Sequence, residues 1–409
     1  MPAADTHRAI DAVFRIEQAK LIAGLARMVR DVGVAEELAQ DALGLALEQW
    51  PKAGIPDKPG AWLMAAAKHR AIDRFRRAKL AQRKHEELGR EIEGEGAAPD
   101  LDAALDDDIG DDLLRLVFTA CHPVLSTESR VALTLRLIGG LTTEEIARAF
   151  LVPEPTIAQR IVRAKRTLTE KRVPFEVPHG EERAERLASV LEVVYLIFNE
   201  GYTATAGSDW MRPQLCEDAL RLGRILAGIA DSEPEVHGLV ALMEIQASRL
   251  GARKSPSGEP ILLLDQNRAR WDQLLIRRGL AALTRAEGLA ASAGARLGPY
   301  ALQGAIAACH ARARKANDTD WARIVGLYGT LAEITPSPVV ELNRAVALSM
   351  LMGPAAGLEI IDGLAREPAL KAYHLLPSVR GDLLAKLGRH GEAGEEFKRA
   401  AALTENVRE

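Results

Sequence analysis

The sequence predicts an all-α protein: two small helical domains, the second a helix-turn-helix, followed by a long C-terminal helical array. Three observations carry that prediction. Apolar residues make up 47% of the 409 residues but aromatics only 4%, and Ala and Leu dominate, which favours helices packed on helices over a Val/Ile/Thr-rich sheet. Segment after segment is amphipathic at helical spacing, with turn or capping residues between. The charge, only -4 in sum, falls in blocks that divide the chain.

The length allows two to four domains with proper cores. Cys121, Cys216 and Cys309 are odd in number and form no CxxC pair, so neither a disulfide framework nor a zinc site is indicated, and a reducing cytoplasm is expected. The N-terminal MPAADTHRAIDAVFRIEQAK lacks a charged-then-apolar signal, and no run reaches bilayer length, so no membrane partner is expected. There is no GxxxxGK loop, HExxH pair or GxSxG elbow, and DDDIGDD lacks the ligand spacing of a calcium loop. The expectation is a protein that is no enzyme and uses no cofactor or metal. Cys121-His122 reads as core and helix end.

The first domain, about residues 8–85, holds IEQAKLIAGLARMVR and VAEELAQDALGLALEQW, then the turn PKAGIPDKPG and the helix AWLMAAAKHRAIDRFRR. On the second of these helices Glu37, Gln40, Asp41, Gly44 and Glu48 form an acidic stripe opposite Ala39, Leu43, Ala46, Leu47 and Trp50. Taken alone, that stripe reads first as a solvated face. On the third helix Arg70, Arg74 and Arg77 fall at i, i+4 and i+7, a cationic ridge, with Ala71, Ile72 and Phe75 facing inward and Asp73 able to pair with Arg77. Between Lys68 and Lys84 there are eight Lys or Arg against the single acid Asp73, and between Glu86 and Asp112 twelve acids against Arg90. The second block, about 86–110 and containing GEGAAPD, reads as a flexible acidic linker.

The second domain, about 111–172, contains DDLLRLVFTACHP, a helix capped by Ser126 and closed by Gly139-Gly140, and LTTEEIARAFLVPEPTIAQRIVRAKRTL. Thr142 with Glu145 makes a capping box for a short helix; Pro153 ends it, and Pro155 suits the first turn of the next. Stepping 100° per residue from Thr156 gathers Thr156, Gln159, Arg160, Arg163 and Thr167 on one side and Ile157, Ile161, Ala164 and Leu168 on another. Such a helix can enter a major groove, where Arg reads guanine and Gln reads adenine; it also fits a solvated basic face on an ordinary helical hairpin.

After the connector VPFEVPHGEE, residues 183–409 form an Ala/Leu-rich array with Pro or Gly at most junctions. MLMGPAAGLEIIDGL aligns with AKLGRHGEAGEEFKRA, which places Gly353 and Gly388 in register at a spacing of 35, close to the tetratricopeptide period of about 34. Stacked helix pairs of this kind offer concave surfaces to peptides or domains.

In that order, AEELAQDALGLALEQW, PGAWLMAAAKHRAIDRFRR and the helix-turn-helix resemble the bacterial extracytoplasmic-function sigma factors, initiation subunits of RNA polymerase, over about residues 8–172. The resemblance implies core RNA polymerase and promoter DNA as partners. Glu37, Gln40, Asp41 and Glu48 would dock on a basic coiled coil of the largest polymerase subunit. Lys68, His69, Arg70, Arg74, Arg76 and Arg77 would face the -10 element as it melts. Thr156, Gln159, Arg160, Arg163, Arg166 and Thr167 would read the -35 element in duplex form. The acidic linker would thread toward the RNA exit path. Lys68-His69 departs from the family's frequent Arg-Asn, which alters the base preference expected there.

YLIFNEGYTATAG, LLLDQNRARWD and GPYALQGAIAACHARA resemble stretches that recur in a subgroup with a large tetratricopeptide-like extension. Asn199, Glu200 and Gly201 fit either a functional loop or a helix end, and Asp265, Gln266 and Asn267 either a site or a helix entry. The extension is expected to control access to polymerase by packing on the sigma domains or on a protein partner, either as an inhibitor or as a part needed for activity. The rival expectations are a helix-turn-helix regulator that acts without polymerase and uses the array as a sensor, a helical scaffold, and an enzyme with its pocket in the C-terminal half.

Overall fold

A computed structural model describes residues 3–88, 109–150, 152–203, 211–256, 258–371 and 373–403. Among them there are seventeen α-helices, short 3-10 turns, and no pairing of extended chain beyond one bridge between Lys254 and Pro260. The chain divides into two compact units, Met1–Val194 and Tyr195–Glu409.

In the first unit, α1 (Ala3–Val29) packs on α2 (Val32–Ala53) and α3 (Pro59–Leu88) and also on α4 (Ile109–Ala120). Its second half shows why. Ala19, Leu21, Ile22, Ala23, Leu25, Ala26 and Met28 are all buried, so this helix is apolar on more than one face and has neighbours on each. Asp31 starts α2 by accepting from the Gly33 and Val34 amides at 2.8 and 2.9 Å, the ordinary satisfaction of orphan N–H groups at a helix start. The acidic linker, 86–110, falls almost wholly outside the described residues.

The second domain follows as α5 (Thr127–Leu137), α6 (Thr143–Phe150) and α7 (Glu154–Glu170). Ser126 caps α5 as expected. Gly140 lies in the left-handed region at φ +68°, which an L side chain adopts only with strain, so the turn before α6 needs glycine there. The capping box is formed in full: Glu145 N–H donates to Thr142 Oγ1 at 3.1 Å and Thr142 N–H to the Glu145 carboxylate at 2.8 Å. The division between units falls inside α8 (Gly180–Tyr202) rather than ahead of Arg183. The physical reason is local. Arg186 donates to the Phe118 carbonyl at 3.0 Å and Ser189 to the Cys121 carbonyl at 2.7 Å, which ties the first half of α8 to the end of α4.

The second unit continues from the end of α8 through α9 (Pro213–Ile229), α10 (Pro234–Ala247), α11 (Gln273–Ser292), α12 (Pro299–Arg312), α13 (Trp321–Ile334), α14 (Pro338–Met352), α15 (Pro354–Leu364), α16 (Leu375–Lys386) and α17 (His390–Leu403). From α9 to α17 each helix packs mainly on its neighbours in sequence, with α10 also against α12, the pattern of stacked pairs. The repeat read at Gly353 and Gly388 is visible as two helical hairpins, α14–α15 and α16–α17, whose turns use those glycines at φ +96° and +77°. Asn199, Glu200 and Gly201 lie within α8, where a Cβ on Gly201 would stand 2.6 Å from the Cys216 nitrogen. Asn267 and Asp272 cap the helical segments that follow them.

Within this unit His310 lies on α12 against the edge of Trp321, with ring centroids 5.3 Å apart. Burial first, then the charges of Arg249 and Arg268, lower its pKa from 6.5 to about 4. The folded chain therefore holds a neutral imidazole that the unfolded chain would protonate below its ordinary pKa. The associated stability is complete above pH 6.5 and is lost as pH falls toward 4, by about 3 kcal/mol at most. Denaturant unfolding at pH 7 and pH 5 should show a smaller acid-induced loss in a His310→Phe chain than in the wild type.

Candidate nucleic-acid interface

α7 presents two faces with different fates. Ile157, Ile161, Ala164 and Leu168 are buried against α5 and α6. Gln159, Arg163 and Arg166 are exposed, and Thr156, Arg160 and Thr167 are half-buried beside them. Arg160 and Arg163 make no ion pair among the described residues, while Arg166 donates to Glu170 at 2.6 Å, an exposed i,i+4 contact worth little in water. The outward face thus holds one amide and at least two uncommitted guanidiniums, the donors that base edges and phosphates accept.

On α3, Lys68 is half-buried and His69, Arg70, Arg74 and Arg76 are exposed. The Arg77 side chain lies outside the described residues. Arg74 donates to Glu37 on α2 at 2.8 Å, so one ridge cation is paired with one stripe acid; Asp73 stays exposed. Ala71 is buried, but Phe75, expected inside, is 40% exposed between Arg74 and Arg76. Ala71 is the last buried residue described on α3, so Phe75, one turn on, lies at the edge of the packed part of the helix. An exposed ring among cations is a platform on which a base can stack. On α2, Glu37, Asp41 and Glu48 are exposed and Gln40 is half-buried; Asp41 and Glu48 carry no ion pair among the described residues.

Sequence reading missed Glu36. It sits next to Glu37 but turns inward, with a side chain only 5% exposed, and pairs with Arg136 of α5 at 2.6 Å and with Lys165 of α7. Its position at the edge of the stripe of Ala35, Ala39, Ala46 and Trp50 was the available signal, since a carboxylate on a buried face requires a partner. Further contacts join the same two domains. Arg15 donates twice to Glu145, at 2.6 and 2.8 Å; Thr169 donates to Asp31 at 2.9 Å; Gln18 donates to the Arg136 carbonyl at 3.0 Å; and Arg27 pairs with Asp112 at 3.2 Å. The two expected domains are therefore packed together, and α7 is held by its Lys165–Thr169 side while its Gln159–Arg163 side stays open.

No described helix is long and apolar enough to cross a membrane, and among the described residues no group of three or more His, Cys, Asp or Glu is placed to hold a metal ion. The fold and the two exposed cationic surfaces define a sigma-70-type protein: residues 13–80 match the family described as Sigma-70 region 2 and residues 115–168 the family Sigma-70, region 4. Residues 186–287 match DUF6596, a family of unknown function. The chain belongs to the ECF RNA polymerase sigma factors, in a form that carries a C-terminal DUF6596 domain. It is 28% identical over 177 residues to the probable ECF RNA polymerase sigma factor SigI of Mycobacterium tuberculosis, a match covering 43% of this chain and 60% of that protein. With the ECF RNA polymerase sigma factor SigK of Mycobacterium ulcerans it shares 32% identity over 151 residues, 35% of this chain and 75% of that one. An uncharacterized protein of Rhizobium meliloti is 41% identical over 403 residues, covering 98% of this chain and 93% of its own length.

Removing the Glu36 carboxylate leaves two partly buried cations without their counter-charge, at a cost of about 3 kcal/mol to the contact between the domains. Cys121, Cys216 and Cys309 are buried, and burial raises the Cys121 and Cys216 thiols to about 11 and about 12, so surface cysteines can be labelled selectively. Spin labels at Ala61→Cys and Val162→Cys, both exposed positions, should give a longer and broader distance distribution in Glu36→Ala than in the parent.

Proposed function

We propose that this chain is an alternative sigma factor that joins core RNA polymerase through the α2 stripe, meets the melting -10 element with α3 and reads the -35 element with α7. The observation that carries the reading is that Arg70, Arg76 and Arg163 are exposed and Arg160 half-buried beside them, none with an ion pair among the described residues. A folded protein that leaves guanidiniums uncommitted on two helices, while its net charge is -4, keeps them for an external polyanion. Confining them to two faces also limits stray DNA binding, because phosphate affinity scales with the number of charges engaged. Phe75 supplies the stacking surface for an unpaired base in the -10 strand. The acidic linker lies along the RNA path in the initiation complex, and the chain works in the cytoplasm, where polymerase and promoter are.

The Glu36 contact supports a closed resting arrangement. Lys165 cannot reach a phosphate while Glu36 holds it, so polymerase binding has to part α7 from α2 before the second domain engages DNA in full. The C-terminal array controls activity of the promoter-binding domains. Its natural cut point follows α8, whose first half supports α4.

Asp41→Lys with Glu48→Lys is a cleaner test of polymerase docking than reversal at Glu37, which also breaks the Arg74 pair. That double variant should fold normally and fail to co-purify with core polymerase; undiminished binding removes the docking stripe and favours a regulator that acts without polymerase. Arg163→Ala should weaken promoter binding by about 1–3 kcal/mol, with relaxed discrimination at one -35 position if it contacts a base or a shallower salt dependence by about one unit if it contacts phosphate. A chain ending at Tyr202 should bind core polymerase yet differ from the full chain in promoter-driven transcription; equal activity and regulation would eliminate a controlling role for the array.

A further inference from the structure

The promoter-binding surfaces make no use of a dense cationic cluster inside the second unit. Arg249, in the turn after α10, is only 8% exposed, and no carboxylate, carbonyl or hydroxyl among the described residues bonds its guanidinium. Its Nε is sealed from solvent without a partner. It lies between two rings, its Cζ 5.8 Å from the centroids of both Tyr202 and Trp271. Arg268 also stands over the Trp271 ring, at 5.0 Å, and Arg253 over Tyr202 at 3.6 Å. Burial first and then the charge of Arg249 disfavour the charged form of Arg268, and burial with both guanidiniums disfavours that of His310.

Magnitudes decide what this cluster is for. A buried guanidinium with no counter-charge costs more than a desolvated cation–π contact returns. Both rings here lie near the outer limit for that contact, so aromatic packing does not offset the burial. Arg268 is explained otherwise, since it donates to the carbonyls of His310 and Ala313 at 2.6 and 2.8 Å and to Thr319 at 3.2 Å. Asp318, the acid whose charge bears on Arg268, is exposed and accepts from the Lys315 amide at 3.2 Å. Arg249 has no such account. Around it, Trp271 Nε1 and His310 Nδ1 are also buried without a hydrogen-bond partner, in residues no more than 9% exposed. Orphaned polar atoms are rare enough singly that two converging on one unpaired cation require a shared explanation.

The cluster is also where the sequence stretches left without a role meet. YLIFNEGYTATAG contributes Tyr202, LLLDQNRARWD contributes Arg268 and Trp271, and GPYALQGAIAACHARA contributes His310. Four elements, the end of α8, the turns after α10 and before α11, and α12, bring them together.

We propose that this cluster is a binding site for the oxyanion group, carboxylate or phosphate, of a small free metabolite, gripped by the two-pronged guanidinium of Arg249 with Arg268 as the flanking cation. A guanidinium presents paired donors that match such groups, and Trp271 and His310 provide polar atoms that can position the rest of the molecule. A ligand here would act on the second unit alone, giving the C-terminal array a chemical input separate from DNA and polymerase.

The test is calorimetric titration and thermal unfolding of the full chain with inorganic phosphate and with succinate, at ionic strength held constant with chloride. The wild type should bind at least one of them saturably, with a concentration-dependent rise in melting temperature. Arg249→Met should abolish that response and, free of ligand, be at least as stable as the wild type, because it removes an uncompensated buried charge. Arg277→Ala, which removes an exposed cation of the same unit, should respond like the wild type. If Arg249→Met does not fold, Arg249→Lys decides the matter: it keeps the charge, loses the fork, and should bind at least about tenfold more weakly. Absence of saturable binding by the wild type to both probes, or undiminished binding in the Arg249 variants, overturns the proposal.

Discussion

The buried Glu36 carboxylate is the interaction on which the joined form of the first unit most depends. Glu36 takes Arg136 from α5 and Lys165 from α7, two cations from different parts of the second domain, and anchors both to α2 of the first. Removing a carboxylate from water is costly, and two partners in a region of low dielectric recover that cost only if the geometry is maintained. The neighbouring contacts maintain it. Arg136 also donates to the Leu141 carbonyl at 3.2 Å, and Glu145, which closes the capping box of α6, is the same residue that accepts from Arg15 of α1. The helix-turn-helix is thus shaped by the groups that fasten it to the first domain. A change at Glu36 or Glu145 reaches α7 without touching its outer face.

The molecule treats cations in two ways, and the difference lies in solvent. On α3 and α7 uncommitted guanidiniums stand in water, where a lone charge is inexpensive and an arriving phosphate finds it available. In the second unit Arg249 is uncommitted but buried, where a lone charge is expensive and only a partner of opposite sign makes the arrangement favourable. The first pattern suits a long polyanion that binds along a surface, the second a small anion that enters an interior.

Packing on α1 and α8 shows how two compact units share one chain. The second half of α1, apolar on more than one face, serves as common core for α2, α3 and α4. The first half of α8 belongs to the helix-turn-helix domain, and its end carries Tyr202 into the cationic cluster. The helix that closes one unit therefore begins the other.

The sequence alone determined whatever depends on residues three to four positions apart: the helices, the Thr142–Glu145 box, the Ser126 cap, the Gly353 and Gly388 turns, and the outward placement of Gln159 and Arg163. Helical periodicity and capping act over single turns, so a linear reading carries them, and three motifs in order were enough to indicate the family. Only the tertiary structure decided that Glu36 is inside while Glu37 is outside, that Phe75 is exposed, that the two domains are fastened together, and that Arg249 meets Tyr202, Trp271 and His310. Those outcomes depend on neighbours distant along the chain, whose burial and charge no single turn of helix can specify.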